Sequence, residues 1–111
     1  RERVAKLNAE LPVILVGDFN AVAGDNPVYD TLVGDGYFTD TWETASERKG
    51  DPTLNTFNGF RPAVRESKRI DWILTRGAVQ TSATQIIECS RDGQYPSDHF
   101  PVVAWMRLGQ P

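Results

Sequence analysis

The apolar run from Val13 to Val16 constrains the fold more than any other feature of this sequence. Four apolar residues without polar alternation predict a strand that is covered on both faces, and we place it centrally in a sheet. The run ends in Gly-Asp-Phe-Asn, so a rigid strand delivers a carboxylate, Asp18, and a carboxamide, Asn20, two residues apart. Both side chains can point into the same space.

Helical spacing of Val4, Leu7 and Leu11 predicts a helix within residues 1–11, which Pro12 ends. No capping residue precedes this pattern, and the first residue is Arg rather than Met, so we expect the helix to begin upstream.

A second helix is predicted after Asn26, which is a good N-cap, with Pro27 in its first turn and Gly34 or Gly36 at its end. Residues 38–69 break into Thr, Asn, Gly, Pro and charged residues, which predicts a long, partly ordered loop of the kind that carries binding residues.

Three strands are predicted after this loop. Asp71 alternates with apolar residues in RIDWILT, residues 79–87 alternate less cleanly, and HFPVVAWMRL forms the last strand with Pro101 near its start. Helical segments between strands early in the chain and consecutive strands late in it predict an α/β layered fold with a mixed sheet.

Composition limits the classes of function. The 111 residues, 40% of them hydrophobic, fit one soluble globular unit without an apolar run long enough to cross a bilayer. A lone Cys89 excludes an intrachain disulfide and is interpreted as a small hydrophobe. A net charge of -3 argues against general attraction of polyanions, so any phosphate chemistry would be local and metal-assisted.

Polar residues that a core does not require occur at three strand ends: Asp18 with Asn20, Asp71, and Asp98 with His99. Such groups are costly to bury unless they are paired or bind a metal, so their repetition indicates one shared site.

Each group also has a simpler interpretation when it is taken alone. For GDFN, an Asx-turn that closes the strand explains the residues as well as a functional site does. For Asp71, a salt bridge to Arg69 or Lys68 on a half-exposed face is the better explanation. For SDH, a turn capped by Ser97 or Asp98 with a surface histidine is somewhat favoured. The three groups together shift the interpretation toward function.

The motifs PVILVGDFNA, RIDWIL and YPSDHFPVVA resemble, in this order, the C-terminal half of the endonuclease/exonuclease/phosphatase superfamily domain. The resemblance covers residues 12–108. It implies part of a DNase I-like, four-layered α/β sandwich with two mixed β-sheets. It also implies a Mg²⁺-dependent phosphoesterase, with Mn²⁺ as a substitute metal, acting on nucleic acids, inositol phosphates, sphingomyelin or other phosphate esters.

The resemblance also implies residue roles. Asp18 would orient and deprotonate the attacking water, and Asn20 would donate to a phosphate oxygen. His99 would hydrogen-bond the phosphoryl oxygens, with Asp71 as its carboxylate partner, and Asp98 would lie near the metal. A carboxylate beside His99 would raise the pKa of its imidazole above about 6.5 and keep it cationic.

In the family, the N-terminal half supplies a metal-ligating glutamate, an asparagine and a second histidine, and this chain has none of them at matching positions. We therefore interpret residues 1–111 as the C-terminal half of the domain, weakly active or inactive alone. The strand at Val13–Val16 would lack a neighbour, and its open edge would invite self-association.

The loop at residues 53–69 is the candidate for substrate selection. Its aromatic residues would stack on substrate and its cations would bind phosphate: Phe57, Phe60, Arg61, Arg65, Lys68 and Arg69. A solvated loop is slightly favoured, because Glu66 and Asp51 dilute the positive charge. The acidity of the chain leans toward a small or membrane-derived phosphate ester rather than nucleic acid.

Two interpretations from other classes remain at this stage. One is a non-catalytic binding module that kept the fold, although the retained Asp, Asn and His residues argue against it. The other is an interaction fragment that forms a swapped dimer through its open sheet edge.

Overall fold

Two three-stranded sheets organise the chain in a computed structural model. The structure describes residues 1–8, 10–24 and 26–109. The first sheet consists of β1 (Val13–Asp18), β2 (Thr39–Asp40) and β4 (Asp71–Arg76), with β4 between its two antiparallel neighbours.

The second sheet is mixed. It contains β3 (Glu47–Lys49), β5 (Val79–Ile86) and β6 (Val102–Leu108); β5 pairs in parallel with β3 and antiparallel with β6. Together with three short helices, the two sheets give the α/β architecture that the order of segments predicts. None of the helices in the described ranges has the length and apolarity needed to cross a bilayer.

The helices are α1 (Glu2–Ala5), α2 (Pro27–Val33) and α3 (Thr41–Thr44). α2 begins as predicted, because the Asn26 side chain accepts a hydrogen bond from the Tyr29 backbone N–H at 2.9 Å. α1 is shorter than predicted. The Asn8 side chain accepts from the Glu10 N–H and forms a turn that competes with the helix, while Ala9 lies outside the described residues.

β1 differs from its prediction as a central strand covered on both faces. It lies at the edge of its sheet, with β4 as its neighbour. Ile14 and Val16 are 46% and 60% exposed. The face that carries Ile14 and Val16 is therefore uncovered, while Val13 and Leu15 on the other face pack against the core. Separately, no further strand within the described residues pairs with the outer edge of β1.

Residues 38–69 contain β2, α3 and β3 in addition to loops. A local cap explains why α3 forms within this segment. The Asp40 carboxylate accepts from the Trp42 backbone N–H at 3.0 Å at the start of the helix. Such caps stabilise elements too short to show a periodic sequence pattern.

The larger core cluster is built around β4. Trp72 and Leu74 are fully buried with Phe38. The Phe19 ring stacks on Trp72 at 4.4 Å, and the Tyr29 ring meets it edge-on at 5.2 Å. A second cluster consists of Leu54, Ile86 and Phe100. Because strand side chains alternate, burial of Trp72 directs its neighbour Asp71 away from this core.

Candidate active site

The two antiparallel strands β1 and β4 bring two carboxylates opposite each other. Asp18 is the last residue of β1 and Asp71 the first of β4, and they are direct partners in the ladder. Like charges directly opposite in a sheet repel, so this arrangement is stable when a donor or cation lies between them.

His99 is such a donor. Its Nδ1 lies 2.8 Å from the Asp71 Oδ2, and its Nε2 lies 3.6 Å from the Asp18 Oδ2 and 3.9 Å from the Asp98 Oδ1. An ionised carboxylate only accepts, so Nδ1–H donates to Asp71. This hydrogen bond is the main cause that raises the pKa of His99 above its usual value; partial burial opposes it, and the surrounding negative charges reinforce it.

Asp18 has two functions in this geometry. Its Oδ1 accepts from the Asn20 backbone N–H at 2.8 Å, forming an Asx-turn in which Asn20 has a φ of 52°. Its Oδ2 remains directed toward His99. The turn and the site interpretations of GDFN are therefore compatible, because the turn orients the carboxylate and leaves Asn20 exposed beside it.

The predicted salt bridge from Asp71 to Arg69 or Lys68 is wrong. Arg69 pairs with Asp40 at 2.6 Å, and Lys68 pairs with Glu66 at 3.0 Å. Since both cations have other partners, the Asp71 carboxylate is left to His99.

The turn predicted for SDH is present, but it does not leave His99 as an isolated surface residue. The Ser97 hydroxyl oxygen accepts from the His99 backbone N–H at 3.1 Å. The Asp98 carbonyl accepts from the N–H groups of Asn58 and Gly59 at 2.7 and 3.1 Å. These bonds fix the peptide group between Asp98 and His99, directly before the imidazole.

The candidate substrate loop is joined to this same segment. Phe57 and His99 form an antiparallel bridge, and the Phe100 N–H donates to the Thr56 carbonyl at 2.7 Å. The Phe57 ring, half exposed, meets the imidazole edge-on at 5.3 Å between ring centroids. An exposed aromatic surface therefore borders the carboxylate–histidine cluster.

Phe60 continues this loop as an exposed side chain in an unusual backbone conformation. It is 61% exposed and has a φ of 60°, a left-handed conformation that bulky residues rarely adopt. The Asn58 side chain stabilises it by accepting from the Phe60 N–H at 2.7 Å. Exposure and backbone strain together are typical of a residue kept for contact with a ligand.

Arg61 differs from the other predicted phosphate-binding cations. Within the described residues no carboxylate lies at ion-pair distance from Arg61, whereas Arg65 binds both Asp51 and Glu88. Arg69 is buried and Lys68 is paired, as described above. The basic cluster predicted for residues 53–69 is therefore reduced to Arg61.

The residues fit a hard divalent cation. One atom each of Asp18, Asp71 and His99 lies within 4.8 Å of the other two. A protonated imidazole has no lone pair for a metal, so the carboxylates are the groups that could bind the cation. Mg²⁺ is commonly held by one or two carboxylates with waters and substrate phosphate completing its octahedron. Because His99 binds the Asp71 Oδ2, the carboxylates of Asp18 and Asp98, which lie 3.6 and 3.9 Å from Nε2, are more available than that of Asp71.

Sequence reasoning missed two buried polar groups near the site. The Thr56 hydroxyl accepts from the Ile70 N–H at 2.9 Å, which ties the substrate loop to the start of β4. Asp40 is 2% exposed and binds Arg69. Partners separated by 14 and 29 residues leave no local pattern, so no signal in one sequence would have identified them.

The sequence of the chain is similar to that of one known protein family. Residues 1–99 match the model of the endonuclease/exonuclease/phosphatase family. No curated protein matches the chain.

Several solved structures are similar to the chain. A mannosyl-6-phosphatase of Bacteroides thetaiotaomicron VPI-5482 is 28% identical, with a TM-score of 0.77 over 96% of the chain. A functionally unknown conserved protein of Enterococcus faecalis V583 is 30% identical, with a TM-score of 0.75 over 97%. A family protein of Bacteroides vulgatus, 24% identical with a TM-score of 0.81 over 97%, supports the fold alone. The chain spans 41% of the length of each of these three proteins.

Proposed function

The chain belongs to the endonuclease/exonuclease/phosphatase family, and from this premise we propose that it supplies the carboxylate–histidine part of a metal-dependent phosphoester hydrolase. The observation that carries the proposal is the contact between His99 and the opposed carboxylates of Asp18 and Asp71. A cationic donor held beside two carboxylates suits attack of water on a phosphate ester.

In the proposed reaction, Asp18 orients the attacking water and accepts its proton as the water oxygen bonds to phosphorus. The bond between phosphorus and the ester oxygen breaks, and the leaving alcohol takes up a proton from solvent. The strand end and the Asx-turn hold this carboxylate before substrate binds, so little freedom is lost in the transition state. Asn20 donates from its exposed amide to a phosphate oxygen. These groups promote attack without forming a covalent intermediate.

His99 stabilises the charge that develops on the phosphoryl oxygens. Its Nδ1–H is committed to Asp71, so Nε2–H is the free donor of the imidazolium. The raised pKa of His99 increases the fraction of imidazolium near neutral pH. Asp71 thus positions the donor and maintains its charge, and it does not touch the substrate.

A bound Mg²⁺, or Mn²⁺ in its place, would supply charge neutralisation at the phosphate. Asp98 is the carboxylate of this chain that we propose to hold it, which leaves Asp18 as the base. We further propose that residues 1–111 form the C-terminal half of the domain, so that other ligands lie outside this chain.

For the substrate, a small phosphomonoester is favoured over nucleic acid. A similar structure is a mannosyl-6-phosphatase. The loop beside His99 offers two exposed aromatic rings and one cation, Arg61, that has no carboxylate partner among the described residues. Nucleic-acid grooves use many cations along the backbone, which this loop lacks. Phe57 and Phe60 would cover a sugar ring while Arg61 binds the ester.

The retained residues also weigh against a non-catalytic binding module. A module that lost its chemistry would not need to keep a carboxylate hydrogen-bonded to a histidine beside a second carboxylate. Replacement of Asp18 or His99 by a residue without the same chemistry would have indicated a non-catalytic binding module.

Hydrolysis of a hexose 6-phosphate, a simple aryl phosphomonoester and an aryl phosphodiester tests the proposal. The longer protein that carries this chain is assayed with Mg²⁺, with EDTA and as His99→Ala. We expect Mg²⁺-dependent monoesterase activity, with a loss of about 10²–10³-fold in kcat for His99→Ala. Absence of hydrolysis of all three substrates, or full activity of His99→Ala, would overturn the proposal.

A further inference from the structure

A buried ion pair lies next to the candidate site without belonging to it. The Arg69 Nη2 lies 2.6 Å from the Asp40 Oδ2, and the two side chains are 8% and 1% exposed. The Tyr29 hydroxyl donates to the same oxygen at 2.9 Å, and the Trp42 N–H donates to the other oxygen at 3.0 Å. One carboxylate therefore joins α2, the start of α3 and the residues that precede β4.

The backbone beside this pair holds the segment that carries Asn20. The Arg69 carbonyl accepts from the Ala23 N–H at 2.8 Å, and the Ile70 carbonyl accepts from the Phe19 N–H at 2.9 Å. Two successive carbonyls thus bind both ends of residues 19–23. Any shift of this backbone would move the loop after β1 as well as the start of β4.

A gain in folding stability alone does not explain why the ion pair between Arg69 and Asp40 is buried. Removing two charges from water is costly, and a buried ion pair is often no more stabilising than apolar residues of the same volume. A fixed pair has directional hydrogen bonds, however, and these define one position for the attached backbone where apolar packing tolerates several.

We propose that Arg69, held by Asp40, is a positioning residue that sets where Asp71 meets His99. Asp71 lies two residues after Arg69, and its carboxylate reaches Nδ1 at 2.8 Å, a contact that a small displacement would break. The role of Asp71 and His99 in catalysis rests on the proposed function, but the positional claim concerns only the hydrogen bond between them. A misplacement of about 1 Å at a reacting group can lower a rate by about 10²-fold.

The single histidine of the chain makes the test direct. In NMR spectra of the 111-residue chain, the imidazole Nδ1–H of His99 should give one downfield proton signal that the hydrogen bond to Asp71 protects from solvent exchange. Asp40→Asn keeps the shape of the side chain and its cap on Trp42 but removes the charge that holds Arg69. We expect loss of the protected signal in this variant, whereas Arg69→Lys, which can still pair with Asp40, should retain part of it.

Two controls separate positioning from general destabilisation. Asp51→Asn removes a carboxylate from the exposed Arg65 pair, and Ile86→Val weakens the core of the second sheet; both should keep the protected signal. An Asp40→Asn chain with dispersed backbone signals and an unchanged Nδ1–H signal would overturn the proposal. If that variant does not fold, Arg69→Gln decides, because it removes the cation from Asp40 and leaves the Tyr29 and Trp42 donors in place. An unchanged exchange rate in Arg69→Gln would be equally contrary. Since no step requires turnover, failure here leaves the proposed hydrolase function standing.

Discussion

At the scale of single residues, the contact between His99 and Asp71 favours the protonated form of the imidazole. The hydrogen bond favours the imidazolium, so His99 should titrate above the ordinary value of about 6.5. Its carboxylate neighbours on β1 and in the preceding turn act in the same direction at longer distance.

Replacement of Asp71 by Asn tests this directly. The pKa of His99 should fall toward its ordinary value, because the neutral amide no longer stabilises the imidazolium. NMR titration of the single imidazole measures the shift. Asp35→Asn, which removes a carboxylate paired with Arg1, is the matched control and should leave the titration unchanged. Equal midpoints in wild type and Asp71→Asn would contradict the assignment.

The same shift predicts how stability depends on pH. The folded pKa of His99 lies above its unfolded value, so its contribution is fully present below about pH 6.5 and is lost as pH rises through the folded pKa. His99→Gln should therefore reduce the free energy of unfolding more at about pH 5.5 than at about pH 8.5. Urea unfolding of both proteins at the two pH values checks this, and a difference independent of pH would refute it.

Arg61 and Arg65 offer a matched pair for substrate binding. Arg61→Ala should raise KM for a phosphomonoester about tenfold with little change in kcat, because it removes an unpaired cation worth about 1.5 kcal/mol. Arg65→Ala should have little effect, since Asp51 and Glu88 already bind that guanidinium. Steady-state kinetics of the longer protein distinguish them, and equal effects would remove Arg61 from the site.

The sequence predicted the polar groups of the site better than their partners. Asp18 ends an apolar strand, Asp71 interrupts the apolar pattern of the next, and His99 directly precedes the last one, so all three stand out in the sequence. The partner of Arg69 could not be predicted, since an exposed salt bridge on the strand explained this residue equally well until its burial against Asp40 was known.

At the scale of elements, α2 illustrates what local signals can predict. The Asn26 side chain accepts from the Tyr29 N–H and also donates to the Val22 carbonyl, so it anchors the helix start to the loop after β1. The short helix depends on this cap because seven residues form few internal hydrogen bonds.

Asn26→Ala should therefore lower the free energy of unfolding by about 1 kcal/mol. Asn26→Ser keeps a capping oxygen and should recover most of that loss. Urea denaturation with unchanged m-values measures both. Equal stability of the Ala and Ser variants would show that the cap does not stabilise α2.

β1 and α1 show where local signals fail. A run of four apolar residues identifies a strand, but whether a second neighbour covers it depends on the chain that lies beside it. Helical spacing before Pro12 likewise predicted more helix than α1 contains, because the Asn8 side chain competes for the backbone.

At the scale of the whole molecule, the chain is somewhat extended for its length. Its radius of gyration is 14.8 Å, against about 13 Å expected for 111 residues. The exposed edge of β1 agrees with this shape, since Ile14 and Val16 lie on a strand with an unpaired side among the described residues. Such an edge favours pairing with another chain.

We predict concentration-dependent self-association through β1. Light scattering should give a mass that rises with concentration, and Val16→Lys should restore the monomer because a charge on an edge strand opposes pairing. Val28→Lys, at an exposed apolar position on α2, is the control and should associate as wild type. A monomeric wild type at high concentration would exclude this mode of assembly.

The bridge between Phe57 and His99 has a consequence for how this protein can evolve. Specificity loops usually diversify by insertion and deletion, but this loop shares backbone hydrogen bonds with the segment that carries the histidine. A slip of one residue in such a pairing turns every side chain to the opposite face. If this loop selects the substrate, as we propose, new substrates are accessible by exchanging side chains at fixed loop length, whereas a change in length between Thr56 and Asn58 would shift the backbone pairing that holds His99.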